Sequence, residues 1–217
     1  MPIKLLKKEL ILCMHPAAWI MLSLSALILI PNYPYTVSFF YLTLGLFFIS
    51  MGARENHDTT FTLTLPIARR DVVAGRFLLA VTLELLSLLL AGLMILLHTR
   101  LIHTPNGAGM DANLALLGEG FLFYGVFHLV FFPLHFRDVS RIGAPFLLAS
   151  SALFLLVTAD VVLSYALPFW RDVLDTPDPA HWQAKLVFDL LCVLFYALAT
   201  LFSLRLSQKL FLRLDIR

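Results

Sequence analysis

The chain alternates between six long apolar stretches and shorter polar intervals. The apolar stretches cover about 16–30, 36–52, 72–98, 114–134, 143–168 and 186–204. An α-helix needs roughly 20 apolar residues to cross the hydrocarbon core of a bilayer, and most of these stretches come close to that length. We therefore predict an all-α integral membrane protein with six transmembrane helices, in which residues 1–217 form a single transmembrane domain.

The segment before the first apolar stretch, residues 1–14, mixes lysines with aliphatic side chains at helical spacing. Its basic residues are Lys4, Lys7 and Lys8. This pattern predicts an amphipathic helix lying in the membrane interface, with the lysines reaching toward anionic lipid headgroups. The alternative is a frayed basic start to the first span. No small-x-small cleavage site is evident, so we expect the segment to be retained as a membrane anchor.

Composition supports a membrane protein and excludes several other classes. Hydrophobic residues make up 60% of the chain and charged residues 14%, too few to cover the surface of a soluble domain. A net charge of +2 is too small to indicate nucleic-acid binding. The two cysteines, Cys13 and Cys192, lie in or beside apolar stretches and have neither metal-site nor disulfide-framework spacing.

Basic residues are distributed unequally between the two sides of the predicted bundle. Of the 16 Lys and Arg residues, 13 fall on the side that carries both termini, and 3 fall on the other. The 13 comprise three in residues 1–14, four between Arg54 and Arg76, Arg137 with Arg141, and four in the tail that ends at Arg217. The positive-inside bias places that side in the cytoplasm, so we expect both termini to be cytoplasmic.

The longest polar interval, from Arg54 to Arg76, carries apolar residues at alternate positions: Phe61, Leu63, Leu65 and Ile67. Pro66 interrupts the local backbone, and Arg69-Arg70-Asp71 opens the next span. This pattern predicts a short cytoplasmic coupling helix under the membrane, with one apolar and one charged side. The alternative is a loop that is charged only because it is exposed to solvent. The four apolar side chains argue against this, since a fully solvated loop does not require them.

The same interval carries a family resemblance. Glu55, Thr60 and Leu63, followed by Leu65-Pro66-Ile67-Ala68-Arg69-Arg70-Asp71-Val72-Val73 and Gly75-Arg76, resemble the motif of ABC-2-type permeases. The similarity is greatest to small six-helix permeases such as exporters of phenol-soluble-modulin-type peptides and bacitracin or lantibiotic transporters.

The resemblance implies a permease subunit of an exporter in the bacterial cytoplasmic membrane. Such a subunit would pair with a second permease, identical or different, and with two copies of an ATPase. ATP and magnesium would bind to the ATPase, and the cargo would be an amphipathic peptide, a peptide antibiotic or another hydrophobic compound. The short outer loops favour export over import. The non-transporter alternative is a membrane scaffold or assembly subunit.

No G-x-x-x-x-G-K-[ST] motif occurs, so we expect neither an ATP site nor a catalytic residue in this chain. A separate ATPase would have to dock on the cytoplasmic loops. The candidate ATPase-coupling residues are Glu55, Thr60, Phe61, Leu63, Leu65, Pro66, Arg69, Arg70 and Asp71, with a second contact at Arg137 and Arg141.

Four acidic residues fall within or at the edges of spans: Glu84, Glu119, Asp160 and Asp189. An ionised acid in hydrocarbon is costly and needs protein, water or a partner. We expect Glu119 and Asp189 to reach outward to the interface. Glu84 and Asp160 lie deeper, either on the substrate path or bonded across helices, with Thr82, Ser87, Thr158 and Ser164 as candidate partners.

Glu119, His128 and His135 also suggest a competing function, an intramembrane hydrolase with a metal site. No H-E-x-x-H motif accompanies them, and the two histidines are seven residues apart. We therefore favour the transporter, in which no metal is expected.

Overall fold

A computed structural model describes residues 2–102 and 106–214, with side chains from residue 5 onward. The side chain of Lys4 and the whole of Arg217, both counted above, lie outside the described residues. The described chain is helical, without a β-strand in either range. Its α-helices are α1 (Pro2–Lys8), α2 (Pro16–Ser23), α3 (Val37–Glu55), α4 (Asp58–Thr64), α5 (Arg69–Leu101), α6 (Leu114–Arg137), α7 (Gly143–Ala166) and α8 (Trp182–Phe211).

The first predicted span is divided into two kinds of helix. α2 starts at Pro16, whose fixed φ suits the first helical position, and the His15 ring caps it by accepting a hydrogen bond from the Ala17 N–H (3.1 Å). After α2 the chain tightens into a 3₁₀-helix, Leu24–Leu29. At 1.5 Å per α-helical residue and 2.0 Å per 3₁₀ residue, the two together are about 24 Å long.

The N-terminal segment lies across this divided span. α1 continues into a π-helical turn, Glu9–Cys13, and Leu5–Cys13 meets Pro16–Leu29 at 95°. The described residues therefore include five helices long and apolar enough to cross a membrane, α3, α5, α6, α7 and α8, or six if the bent pair counts as one span. A segment at right angles to the first span has the orientation that an interfacial helix requires, and the interfacial position itself stays a prediction.

α6 lies in the centre of the bundle. The apolar 18-residue stretch of α6 is 61% buried, whereas the corresponding stretches of α7 and α8 are 17% and 22% buried. Two glycines let neighbours approach α6 closely: a Cβ at Gly120 would lie 2.8 Å from Phe39, and one at Gly125 would lie 2.8 Å from Phe195. α7 and α8 turn apolar faces outward, such as Phe154, which is 71% exposed. These outward faces suit contact with lipid or another apolar surface.

The polar segments sort into two ends of the bundle. At one end Arg54 Nη1 donates to the Ser140 carbonyl (3.4 Å), and Arg69 Nη1 donates to the Leu214 carbonyl (3.2 Å). At the other end Asn106 Nδ2 donates to the Tyr33 carbonyl (3.1 Å). We call these the inner and the outer end. The segments assigned to each side from the sequence therefore lie together, and which end faces the cytoplasm stays a prediction.

A cysteine-accessibility experiment tests that orientation. With Cys13 and Cys192 replaced by alanine, Ala180→Cys at the outer end should react with a membrane-impermeant thiol reagent in intact cells. Thr60→Cys at the inner end should react only after lysis, and both side chains are exposed. Labelling of Thr60→Cys in intact cells would reverse the orientation.

Candidate functional site

The short element predicted between the second and third spans is a helix, α4. The chain leaves α3 through Asn56 and turns at His57, whose φ is +51°. It leaves α4 in an extended conformation at Leu65 before α5 begins at Arg69. A helix of seven residues is not stable by itself in water, so tertiary contacts must hold it in place.

Asp58, the first residue of α4, provides the main contacts. Its Oδ1 lies 2.8 Å from the Lys8 ammonium, and its Oδ2 lies 3.0 Å from Arg76 Nη2. Lys8 belongs to the N-terminal segment and Arg76 to the second turn of α5. One carboxylate therefore joins three segments that are far apart in sequence.

Glu9 completes the arrangement. It lies 3.1 Å from the Lys8 ammonium and 3.0 Å from Arg76 Nη1, and its side chain is 1% exposed. Lys8, Glu9, Asp58 and Arg76 thus form a closed ring in which positive and negative charges alternate. We call these four residues the inner charge cluster. Lys8 also donates to the Thr62 hydroxyl (2.7 Å), so the ammonium has partners for all three of its N–H groups.

The pKa of Asp58 reflects this environment. Burial alone would raise the pKa of the carboxyl, but the hydrogen bond from Lys8 and the charge of Arg76 outweigh it and lower the pKa below its ordinary value. A lowered pKa means that the ionised form is favoured by folding. The resulting stabilisation is present above the ordinary pKa and is lost as pH falls through the lowered one.

The cluster was not predicted, and Lys8 was assigned wrongly. Its ammonium points to Glu9 and Asp58 inside the protein and not toward lipid headgroups. The position of Arg76 in the sequence indicates that it has an acidic partner, because a cation in the second turn of a membrane span needs one. The sequence does not indicate which of the distant acids supplies it.

The apolar ridge predicted on this element is also wrong in its composition. In a helix, residues four apart share a face, so alternate residues do not form one ridge. Phe61 and Leu65 are 54% and 38% exposed, whereas Leu63 and Ile67 pack against the core. The exposed apolar pair is therefore Phe61 and Leu65, which we call the α4 apolar pair.

The other candidate coupling residues are mostly exposed. The exposed ones are Glu55, Thr60, Pro66, Arg69, Arg70, Arg137 and Arg141, and Asp71 is half-buried. Arg137 and Arg141 line a cavity of about 600 Å³ together with Leu148 and Leu214. The hydrogen bond from Arg54 to Ser140 brings this second loop to the same end as α4.

Glu84, the deepest acid of α5, is held in a closed hydrogen-bond network. Its Oε1 lies 2.9 Å from His128 Nε2, and its Oε2 accepts from the Tyr196 hydroxyl (2.7 Å). His128 Nδ1 in turn lies 2.8 Å from the Thr200 hydroxyl. Glu84 and His128 are fully buried, so the network joins α5, α6 and α8. This geometry favours a structural role for Glu84.

The candidate partners for these acids were wrong. Thr82 and Thr158 donate to carbonyls of their own helices, those of Leu78 and Phe154, and Ser87 accepts from Tyr124. Ser164 has no hydrogen-bond partner among the described residues.

The two acids expected to reach the interface do not do so. Glu119 is 5% exposed and lies 3.4 Å from the Thr36 hydroxyl, which donates to Asp160 Oδ2 (2.8 Å). Asp189 is half-buried, and its Oδ1 is enclosed. These acids point into the protein, between helices at the outer end.

The structure also separates Glu119 from His128. The two residues are nine positions apart on α6, roughly 13 Å along the helix axis, and each has its own partners. They do not converge on a shared metal position, which argues against the hydrolase. Among residues 2–102 and 106–214, Glu9, Cys13 and Asp58 lie close enough together to hold a metal ion, but Lys8 and Arg76 already neutralise the two acids.

Comparison with known families gave one match. The family model described as "ABC-2 family transporter protein" matches residues 4–211, nearly the whole chain. Comparison with curated proteins and with solved structures gave no match.

Removal of the Arg76 side chain should destabilise the inner end of the protein. Arg76→Ala leaves two buried carboxylates with Lys8 alone, and breaking a buried ion network in this way costs about 3–5 kcal/mol. The thermal unfolding midpoint should fall by on the order of 10 °C at neutral pH. Arg100→Ala, at an exposed site on the same helix, is the matched control and should change the midpoint little. Equal midpoints for the two variants would contradict a stabilising cluster.

Tyr196→Phe should destabilise the membrane core. It leaves Glu84 Oε2 buried without a donor, which costs about 1–3 kcal/mol and should lower the unfolding midpoint by several degrees. Tyr41→Phe removes a longer hydroxyl contact, 3.3 Å from Tyr33, and serves as control. An unchanged midpoint for Tyr196→Phe would contradict the structural role of Glu84.

Proposed function

The chain belongs to the ABC-2 family of transporter proteins, and from this membership we propose that it is the permease subunit of an ATP-driven exporter. Proteins of this family are membrane subunits and are not themselves catalytic. The proposed cargo is a hydrophobic or amphipathic compound, such as a peptide or peptide antibiotic, taken from the cytoplasm or the inner leaflet.

The observation that carries the proposal is the α4 apolar pair. Phe61 on α4 and Leu65, the extended residue that directly follows α4, are exposed at the inner end, and α4 is fixed to the rest of the protein. Exposed charged residues flank them in the sequence, including Glu55, Arg69 and Arg70. An apolar centre with a charged rim is the composition of a protein-binding surface. We propose that an ATPase docks here.

The inner charge cluster gives this surface a mechanical role. A partner can move membrane helices only through a contact that does not yield. Asp58 lies at the start of α4 and is bonded to Lys8 and Arg76, so a force on α4 reaches the N-terminal segment and α5 together. The loop with Arg137 and Arg141 supplies a second contact.

The remaining partners follow from the family and from the exposed helix faces. Two ATPase copies would bind ATP and magnesium, and a second permease, identical or different, would complete the transporter. The outward apolar faces of α7 and α8 support contact with membrane lipid and with that second subunit. The proposed location is the bacterial cytoplasmic membrane, with both termini in the cytoplasm. A place for Glu84 or Asp160 on the substrate path stays a prediction.

A charge placed in the α4 apolar pair tests the docking surface. Phe61→Asp should reduce co-purification with an ATPase subunit encoded by a neighbouring gene at least tenfold, about 1.4 kcal/mol, because it puts a carboxylate into an apolar contact. Ala180→Asp adds the same charge at an exposed site at the outer end, away from the pair, and should leave binding unchanged.

Two results would contradict the proposal. If Phe61→Asp binds the ATPase and supports efflux from lipid vesicles as well as the native protein does, α4 is not the docking element. If the native complex hydrolyses ATP but moves no cargo, the alternative of a scaffold or assembly subunit is favoured.

A further inference from the structure

Two acidic side chains meet at the outer end of the bundle. Glu119 on α6 and Asp160 on α7 are 5% and 4% exposed, and their carboxyl groups lie beside the same hydroxyl, that of Thr36. The Thr36 hydroxyl, just before α3, donates to Asp160 Oδ2 at 2.8 Å and lies 3.4 Å from Glu119 Oε2. A hydroxyl has one proton, so it satisfies one of the two acids.

The second carboxyl oxygen of Asp160 is not hydrogen-bonded to any described residue. Asp160 Oδ1 is buried and has no hydrogen-bond donor among the described residues. The nearby ammonium of Lys185 is bound to Asp178 (2.8 Å) and to the Thr176 carbonyl. Two carboxylates cannot hydrogen-bond to each other, because each only accepts. A proton kept by one member of the pair removes one of the two like charges and adds a second donor beside the Thr36 hydroxyl.

The other titratable groups that face the pair do not supply a positive charge. Asp175, on the outer segment between α7 and α8, acts electrostatically on both Glu119 and Asp160, and its Oδ1 accepts from the Asp111 N–H (2.6 Å). Burial raises the pKa of Asp175 to about 7. On α8, Cys192 interacts electrostatically with Glu119, and Asp189 lies against Gly118, the residue before Glu119. Ionising both members of the pair would therefore place like charges in a dry and already acidic site.

The outer segment between α5 and α6 covers the pair directly. Gly109 has a φ of +134°, and a Cβ there would lie 3.0 Å from Asp160 Oδ2. Asn106 holds this segment by donating to the carbonyls of Tyr33 and Met110. The pair therefore lies immediately beneath the outer polar segments.

We propose that Glu119 and Asp160 form a binding site for a single proton, and that this proton holds the outer ends of α6 and α7 together. When the proton leaves to outer water, the carboxylic acid becomes a second carboxylate, and no bond between heavy atoms changes. The two like charges then repel each other across the α6–α7 contact and beneath Gly109. The contact between the outer ends of α6 and α7 would then depend on the bound proton and not on which cargo is transported.

Infrared spectroscopy of the full chain in lipid vesicles tests the bound proton. The native protein at neutral pH should show a carbonyl band of a buried carboxylic acid that shifts in D₂O. The band should be lost in both Asp160→Asn and Glu119→Gln. It should persist in Asp172→Asn, an exposed outer acid, and in Asp175→Asn, which removes an outer carboxyl whose pKa burial raises to about 7. Thr36→Val leaves both acids in place and should also keep the band.

Thermal unfolding across pH gives the second readout. The midpoint of the native protein should fall by at least about 2–4 °C between about pH 6 and about pH 9. Asp175, whose pKa is raised to about 7, also lowers stability in this range, so the comparison is made in an Asp175→Asn background, where Asp160→Asn should reduce the remaining dependence. If the carboxylic-acid band is the same in the native protein and in Asp160→Asn, the proposal fails. It also fails if added sodium or calcium raises the native midpoint, Asp160→Asn abolishes the effect, and no such band is present, because the site would then hold a metal cation.

Discussion

The inner charge cluster is the constraint on which the inner half of the structure depends. Lys8, Glu9, Asp58 and Arg76 are largely buried, and each charge has two neighbours of opposite sign. Removing any one of them leaves a charge without compensation in an apolar setting. The positions of the N-terminal segment, α4 and α5 are therefore interdependent, and the short α4 keeps its orientation only as part of this ring.

The requirement that a buried charged group has a partner applies at three depths of the bundle, with different outcomes. At the inner end the charges cancel within the cluster. In the middle, Glu84 is satisfied by His128 and Tyr196. At the outer end, Glu119 and Asp160 share one hydroxyl donor and remain short of another. The outer end is thus the polar site whose stability requires something that the described side chains do not provide.

Hydrophobic pattern and basic residues were enough to predict the five long helices and the grouping of the polar segments at two ends. They could not predict which polar side chains bond to each other, because Lys8 and Asp58 are 50 residues apart and Glu84 and Tyr196 are 112 apart. The apolar alternation around Phe61 was correctly noticed, but a helix divides it between two faces. The break before Pro16 had a local signal, since proline favours the first helical position.

The inner charge cluster contains two cations and two anions, so its net charge is zero. Moving one elementary charge through the full transmembrane voltage changes the free energy by about 2.3 kcal/mol per 100 mV. A rigid unit of α4 with the N-terminal segment and the start of α5 carries these four charges together. Displacement of the cluster with that unit does no net electrical work, so the cluster adds no voltage dependence to the movement of the inner end.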